Sequence, residues 1–195
     1  MIAMTDEMLR RFRAGFEAAV EAGVPEPTAM TLATVGADGR PSARTVLLKD
    51  FDADGFVFYT NLGSRKARQV AENPEVSLLF WWRETGQQVL VDGRAERVDD
   101  AEADAYFASR PRDSQLGAWA SRQSEPLADR ATLMQRVDAA RQRFGDGDVP
   151  RPPHWSGFRV RPRRVEFWHA GEYRLHDRFC FVAGDGDWTM ERLYP

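Results

Sequence analysis

The sequence predicts a mainly β protein with peripheral helices, folded as one closed or partly closed barrel. Short runs rich in Val, Thr and aromatic residues recur at the spacing of a meander. Gly and Asp turns separate them, and the few helical patterns fall between the runs. A chain of 195 residues with 43% apolar composition suits a single core, so residues 1–195 are read as one domain.

Each element has its own signal. Leu9, Phe12, Phe16 and Val20 recur at helical spacing behind Thr5 as N-cap, with Asp6 and Glu7 in the first turn and Gly23 at the exit. Residues 1–24 are therefore the N-terminal helix. Strands are predicted over Met30–Val35, Ser42–Leu48 and Phe56–Thr60, parted by the turns Gly36–Gly39 and Asp52–Gly55. A short helix over Arg65–Glu72 ends at Asn73-Pro74. The run Val76–Trp82 reads as a strand buried on both faces, with Gln88–Val98 as its hairpin partner. Asp99–Ser109 and Leu127–Phe144 read as helices, the second with a stripe of Leu127, Ala131, Met134, Val137 and Phe144. After a loop through Gly145–Pro153, strands are predicted over Gly157–Val160, Val165–Trp168, Arg174–Val182 and Trp188–Leu193. The last two are joined at Gly184-Asp-Gly186.

Composition removes several classes of function. With 27 Lys and Arg against 30 Asp and Glu, the net charge of −3 makes no field to gather nucleic acid, and any anion site must be a local cluster. The one cysteine, Cys180, excludes an internal disulfide framework and fits the reducing cytoplasm; in its strand it reads as an inert small hydrophobe. No secretory signal or membrane-length apolar run is read, and the expectation is a soluble protein that is not exported. His154 and His169 have no second ligand at metal spacing and are expected to be solvated, so no metal site is expected. Neither a Gly-x-Gly-x-x-Gly turn nor a Walker-type loop is present, against a Rossmann site or a nucleoside triphosphatase.

Several segments carry chemistry. Phe58-Tyr-Thr-Asn-Leu-Gly-Ser-Arg-Lys66 runs from a strand into a helix N-terminus, where free amides, the helix dipole, Arg65 and Lys66 would make a phosphate site. The plainer alternative is a capped helix with a solvated basic pair. Arg44 and Lys49, five apart on one predicted strand, would place cations on its two faces, either for anions or as protection of an edge. Ser124, after Gln123, is a candidate cap of the long helix. Tyr106 and Arg110 lie one turn apart, so phenol and guanidinium share a face and can both donate to a phosphate, with Ser114 following; alternatively Arg110 only complements the helix end. Arg174, His176 and Arg178 alternate along a predicted strand and would share one face. That arrangement needs an anionic or polar ligand, or partner carboxylates.

Five motifs in order, Arg44-Thr-Val-Leu-Leu-Lys49, Phe58–Lys66, Ser109-Arg-Pro-Arg-Asp-Ser-Gln115, Trp119-Ala-Ser-Arg-Gln-Ser124 and Gly171-Glu-Tyr-Arg-Leu-His-Asp-Arg178, closely resemble the pyridoxamine/pyridoxine 5'-phosphate oxidases. The match runs from the first helix to Arg192-Leu-Tyr-Pro195. The resemblance implies a split β-barrel homodimer with two interfacial active sites, each holding one flavin mononucleotide (FMN), and residues 155–195 completing the site. It assigns Arg44, Tyr59, Thr60, Arg65, Lys66, Gln88, Gln123, Ser124, Trp168 and Arg178 to the flavin. It assigns Lys49, Tyr106, Arg110 and Ser114 to the substrate phosphate, and Arg174 and His176 to the pyridine ring as catalytic residues. The implied reaction is oxidation of pyridoxamine or pyridoxine 5'-phosphate to pyridoxal 5'-phosphate, with O2 as acceptor and release of hydrogen peroxide. A phenazine-biosynthesis-type flavin oxidase and a non-catalytic flavin or pyridoxal phosphate carrier are the alternatives. Family members usually carry a longer basic and aromatic N-terminal arm over the substrate; this sequence starts almost at the first helix, and a site without that lid is the expectation.

Overall fold

Helix α1 (Asp6–Glu21) starts at Thr5, whose Oγ1 accepts a hydrogen bond from the Met8 amide at 3.3 Å. The structure, a computed structural model, describes residues 2–195. The buried face of α1 is Met8, Phe12, Gly15 and Ala19, rotated from the expected stripe, and Val20 is 53% exposed. The reason is close approach. A Cβ on Gly15 would fall 2.8 Å from Gln87 Oε1 and 3.0 Å from the Trp82 ring, so the helix docks along its small residues, which hydrophobic spacing does not mark.

Nine antiparallel strands follow. They are β1 (Ala29–Val35), β2 (Pro41–Leu47), β3 (Asp50–Asp52), β4 (Gly55–Asn61), β5 (Glu75–Trp82), β6 (Gln87–Arg97), β7 (Trp155–His169), β8 (Asp177–Ala183) and β9 (Trp188–Arg192). Their order is β2-β1-β5-β6-β7-β4-β3, with β8 paired to β7 and β9 to β8. The two ends of this order, β2 and β3, are joined by only Leu48 and Lys49. The Leu48 amide donates to Thr28 O on one side of the seam, and the Lys49 amide donates to Val57 O on the other, so the sheet curls until its edges meet. Lys49 therefore lies at the barrel seam and not on the strand that carries Arg44, and the expected placement of the two on opposite faces of one strand is not what forms.

Strand β7 is one element of 15 residues where two strands were expected. One edge pairs with β6 through Phe158–His169. Its other edge pairs first with β4, through Trp155–Val160, and then with β8, through Arg164–His169. A register shift at Asp92/Gly93 bends the β6–β7 ladder, and Gly93 is needed there because a Cβ would meet Arg161 O at 2.3 Å. Strand β5 buries alternate residues only, with Trp81 50% exposed, so the continuous apolar run does not mean two covered faces.

Four more helices decorate the barrel: α2 (Arg65–Glu72), α3 (Asp100–Ser109), α4 (Arg112–Ala120) and α5 (Arg130–Phe144). Helix α4 was not legible, because Pro111 serves as its N-cap and its short span has few apolar residues. Helix α5 starts at Asp129, whose side chain accepts from Thr132 N at 2.6 Å, and not at Ser124. It packs on α4, not on the barrel. The expected stripe is therefore largely unburied, with Leu127 and Met134 48% and 40% exposed and only Ala140 buried. No helix among the described residues is long and apolar enough to cross a membrane.

The main core lies inside the barrel under α1. Phe12 packs edge-on against Phe51, Phe56 and Phe80 at centroid distances of 4.7, 4.9 and 5.1 Å. Truncating it leaves a void bounded by three rings that cannot collapse without moving the strands. Phe12→Ala is expected to cost ~3–5 kcal/mol, read as a lower urea midpoint with the slope unchanged.

Candidate functional site

The strand-to-helix segment after β4 is organised by Asn61. Its Oδ1 accepts from the Gly63 amide at 2.8 Å, and its Nδ2 donates to Ser121 O at 3.1 Å, which ties the loop to the end of α4. Ser64 then caps α2, its Oγ accepting from the Ala67 amide at 3.4 Å. The Arg65 amide donates to Ser124 Oγ at 3.1 Å, and Ser124 holds a positive φ of 73° to make that contact. Lys66 Nζ donates to Gln123 Oε1 at 2.9 Å and Thr60 Oγ1 at 3.1 Å.

These groups open onto a cleft of about 450 Å³. Lys49, Tyr59, Thr60, Lys66, Tyr106, Arg110, Ser114 and Gln123 all line it, so residues from three of the motifs and from the barrel seam converge at one place. The wall is a stack of three near-parallel rings. Tyr59 lies 4.0 Å from Tyr106 and 5.2 Å from Trp155, with interplanar angles of 10° and 6°. Gly157, opposite Tyr59 in the β4–β7 ladder, leaves the space for that ring, since a Cβ would touch it at 2.7 Å. Burial, reinforced for Tyr59 by Glu102, raises both tyrosine pKa values, so both phenols stay protonated donors at neutral pH.

The cleft is defined electrostatically by what its cations lack. Several arginines elsewhere in the molecule are paired with carboxylates: Arg151 with Asp100 and Asp104, Arg159 with Asp52, Arg161 with Asp54 and Glu96, and Arg164 and Arg178 with Glu166. Among the described residues, Arg44, Lys49, Arg65, Lys66 and Arg110 form no ion pair with a carboxylate. Burial and the neighbouring Arg44 draw the Lys66 pKa down to about 8, and burial lowers that of Arg110. One guanidinium nitrogen of Arg110, Nη1, is buried with no partner, and the group rests on the faces of Trp155 and Phe107 at 4.8 and 5.3 Å. Partly buried charge without a counter-ion is costly, and Lys66 and Arg110 in the cleft, with Arg44 close by, suit an anionic ligand. An adjoining recess of about 470 Å³ between α4 and α5 collects none of these five groups.

The remaining expected site residues lie elsewhere on the protomer. Gln88, Trp168 and Arg178 are neighbours across β6, β7 and β8. Trp168 is 12 positions along β7 from Ser156, the partner of Thr60, a span of up to ~40 Å in extended chain. Arg174, His176 and Arg178 do not alternate on one strand. Tyr173 and Arg174 sit in a tight turn with φ of 56° and 64°, and β8 begins only at Asp177. The turn is set by the Gly171 amide, which donates to His176 Nδ1 at 3.1 Å. Arg174 is exposed and His176 stacks near Trp168 at 4.4 Å. His169 ends β7 half-buried, and His154 Nε2 lies 3.0 Å from Ala118 O; neither is the solvated loop residue expected. Cys180 is buried on β8, where burial raises its thiol pKa, in line with an inert residue. Sequence reasoning missed Trp155, Asn61 and the buried Gln69. Asn61 alone had a signal, the Asn-x-Gly-Ser turn before a helix.

The fold and site define an antiparallel barrel protein with a basic, aromatic-walled cleft at its seam. Comparison with known proteins gives the family. Residues 16–144 match the pattern described as pyridoxamine 5'-phosphate oxidase, and residues 155–195 match that of the pyridoxine 5'-phosphate oxidase C-terminal dimerisation region. The pyridoxine/pyridoxamine 5'-phosphate oxidase of Myxococcus xanthus is 57% identical over 194 residues, covering 100% of this chain and 94% of the relative. That of Rubrobacter xylanophilus is 56% identical over 187 residues, covering 96% and 86%. Among solved structures, PhzG from Burkholderia lata, in complex with tetrahydrophenazine-1-carboxylic acid, superposes with a TM-score of 0.90 at 34% identity, covering 99% of this chain and 93% of that one. A pyridoxamine 5'-phosphate oxidase-related, FMN binding protein from Nostoc punctiforme shares the fold, with a TM-score of 0.77 at 18% identity over 94% and 97%. The chain belongs to the pyridoxamine 5'-phosphate oxidase family.

The lowered Lys66 pKa has a direct consequence for anion binding. Lys66 is charged below about pH 8 and loses its proton as pH rises through that value. The affinity for sulfate, whose charge is constant there, is expected to fall roughly tenfold from pH 7 to pH 9, and Lys66→Arg to flatten the profile, measured by isothermal titration.

Proposed function

We propose that this protein is an FMN-dependent oxidase that acts in the cytoplasm as a homodimer. It converts pyridoxamine 5'-phosphate, O2 and water to pyridoxal 5'-phosphate, ammonia and hydrogen peroxide, and pyridoxine 5'-phosphate and O2 to pyridoxal 5'-phosphate and hydrogen peroxide, with no water consumed. The observation that carries the reading is the convergence of eight expected ligand-binding residues on one cleft whose cations have no counter-ion.

In this reading Arg44, Arg65, Lys66 and Ser124, with Thr60, Tyr59 and Gln123, hold the flavin and its phosphate. The positive end of α2 and the neighbouring cations without carboxylate partners fit a phosphate monoester by charge and by hydrogen-bonding type. Lys49, Tyr106, Arg110 and Ser114 hold the substrate phosphate; the unpartnered Arg110 nitrogen is the group such a ligand would satisfy. Bound FMN supplies the ring that accepts a hydride from the C4' carbon of the substrate. Arg174 and His176 lie over the pyridine ring, and Gln88, Trp168 and Arg178 complete the flavin site. Because these five gather around the far end of β7, on β6, β7, β8 and the turn before β8, they reach the cleft of a second copy and not their own. The match of residues 155–195 to a dimerisation region supports that arrangement. The residues act by position: phosphate binding remote from the reacting carbon orients it, and the tyrosine and tryptophan stack forms an apolar wall that excludes water.

A phenazine-type activity is the competing reading, given the fold shared with the Burkholderia protein. Its bound ligand carries a carboxylate, whereas Lys49, Tyr106, Arg110 and Ser114 gather enough donors for a dianion.

The purified protein is expected to be yellow and to release peroxide and pyridoxal phosphate in equal amounts from pyridoxamine 5'-phosphate. A colourless protein, or binding without turnover, would sink the proposal. Lys66→Ala is expected to weaken flavin retention about tenfold or more, with the smaller effect on turnover of the loaded enzyme. Arg174→Ala should do the reverse, lowering kcat/KM about a hundredfold while flavin stays bound; loss of flavin alone in both variants would refute this division of roles.

A further inference from the structure

Gln69 is a buried polar residue of α2 to which neither the sequence motifs nor the proposed reaction assigns a role. It is 6% exposed, and its Oε1 is the meeting point of three donors. Ser42 Oγ donates at 2.7 Å, Thr34 Oγ1 at 2.8 Å and Arg44 Nη2 at 3.4 Å. Arg44 Nη1 is held in turn by Leu32 O at 3.0 Å and Thr34 Oγ1 at 2.7 Å, and Nη2 also by Ser42 Oγ. The Arg44 guanidinium is thus fixed by four neighbours, every one of them neutral.

The choice of an amide here runs against local electrostatics. An amide oxygen has two lone pairs, and three donors including a guanidinium are the environment that best stabilises a carboxylate. Gln and Glu differ by one terminal group at equal length, so a carboxylate would fit the same space and bind its neighbours more strongly. Two half-buried arginines on β7 and β8 are met that way: Glu166, 3% exposed, bridges Arg164 and Arg178. At Gln69 a carboxylate would neutralise Arg44, whose field reaches Lys66 and Arg65 at the start of α2.

We propose that Gln69 is a positioning residue that anchors Arg44 through a neutral acceptor, so that the guanidinium is rigid but its charge is left for the phosphate of a phosphorylated flavin. The inference rests on the assignment of the Arg44, Arg65 and Lys66 cluster to the flavin phosphate.

The test compares FMN with riboflavin, which lacks the phosphate, on the full-length protein stripped of flavin, by quenching of flavin fluorescence. Gln69→Glu is expected to lose about tenfold or more of the preference for FMN, with riboflavin affinity little changed and a melting temperature no lower than that of the parent protein. Gln69→Leu removes the anchor but adds no charge, and should lose less of the preference. A purely structural role predicts the opposite order, because Leu abolishes all three hydrogen bonds and Glu keeps them. A loss in Gln69→Leu equal to or greater than that in Gln69→Glu would overturn the proposal. So would an equal fall in both flavin affinities for Gln69→Glu, or failure of that variant to fold where Gln69→Leu folds. Arg44→Gln separates the two levels of argument. If it leaves the FMN preference intact, the phosphate assignment itself fails; if it abolishes the preference while both Gln69 variants keep it, only the role of Gln69 fails.

Discussion

The architecture depends on β7 being one unbroken strand. One edge of its 15 residues pairs with β6 from Phe158 to His169, while the other edge serves two clients, β4 near its start and β8 near its end. The first half closes the barrel and supplies Trp155 and Gly157 to the cleft wall. The second half carries Glu166 and Trp168 away from it. The bend at Asp92/Gly93 makes this possible, because a ladder that stayed in strict register could not wrap a barrel and also project a second sheet. A single strand thus divides the ligand-binding residues into two groups that one protomer holds apart.

Charge follows the same division. Several arginines outside the cleft are met by carboxylates, and the β7–β8 region is closed by Glu166. Burial opposes ionisation of that carboxyl, but the bonds from Arg178 and Arg164 outweigh it and hold its pKa below the usual range. Inside the cleft, Arg110 is supported by ring faces and Arg44 and Lys66 by hydroxyls and amides. Neutral supports hold a cation in place without cancelling it. The cost is a destabilised empty cleft, which binding of an anion relieves.

Backbone strain is placed with the same economy. The three non-glycine residues with positive φ, Ser124, Tyr173 and Arg174, all fall in the loops that carry expected ligand contacts. Ser124 uses the conformation to reach the first amide of α2. The Tyr173-Arg174 turn is stabilised by the Gly171 to His176 hydrogen bond, which presents Arg174 outward from the protomer.

Much was legible without coordinates. Turn residues and strand runs marked most of the barrel, Thr5, Ser64 and Asp99 cap the helices expected to follow them, and the motif around Lys66 lies at the basic cleft. These are local properties: a cap, a turn or a helix N-terminus is decided within four or five residues of chain. What only the tertiary structure decided is non-local. Whether β5 has one covered face, whether α5 packs on the barrel or on α4, and how Arg174 is oriented all depend on what lies opposite, which no spacing encodes. Gln69 shows the limit most clearly. Its sequence context is that of a surface helix, and it becomes part of the anion site only because closure of the barrel brings Thr34, Ser42 and Arg44 to its amide oxygen.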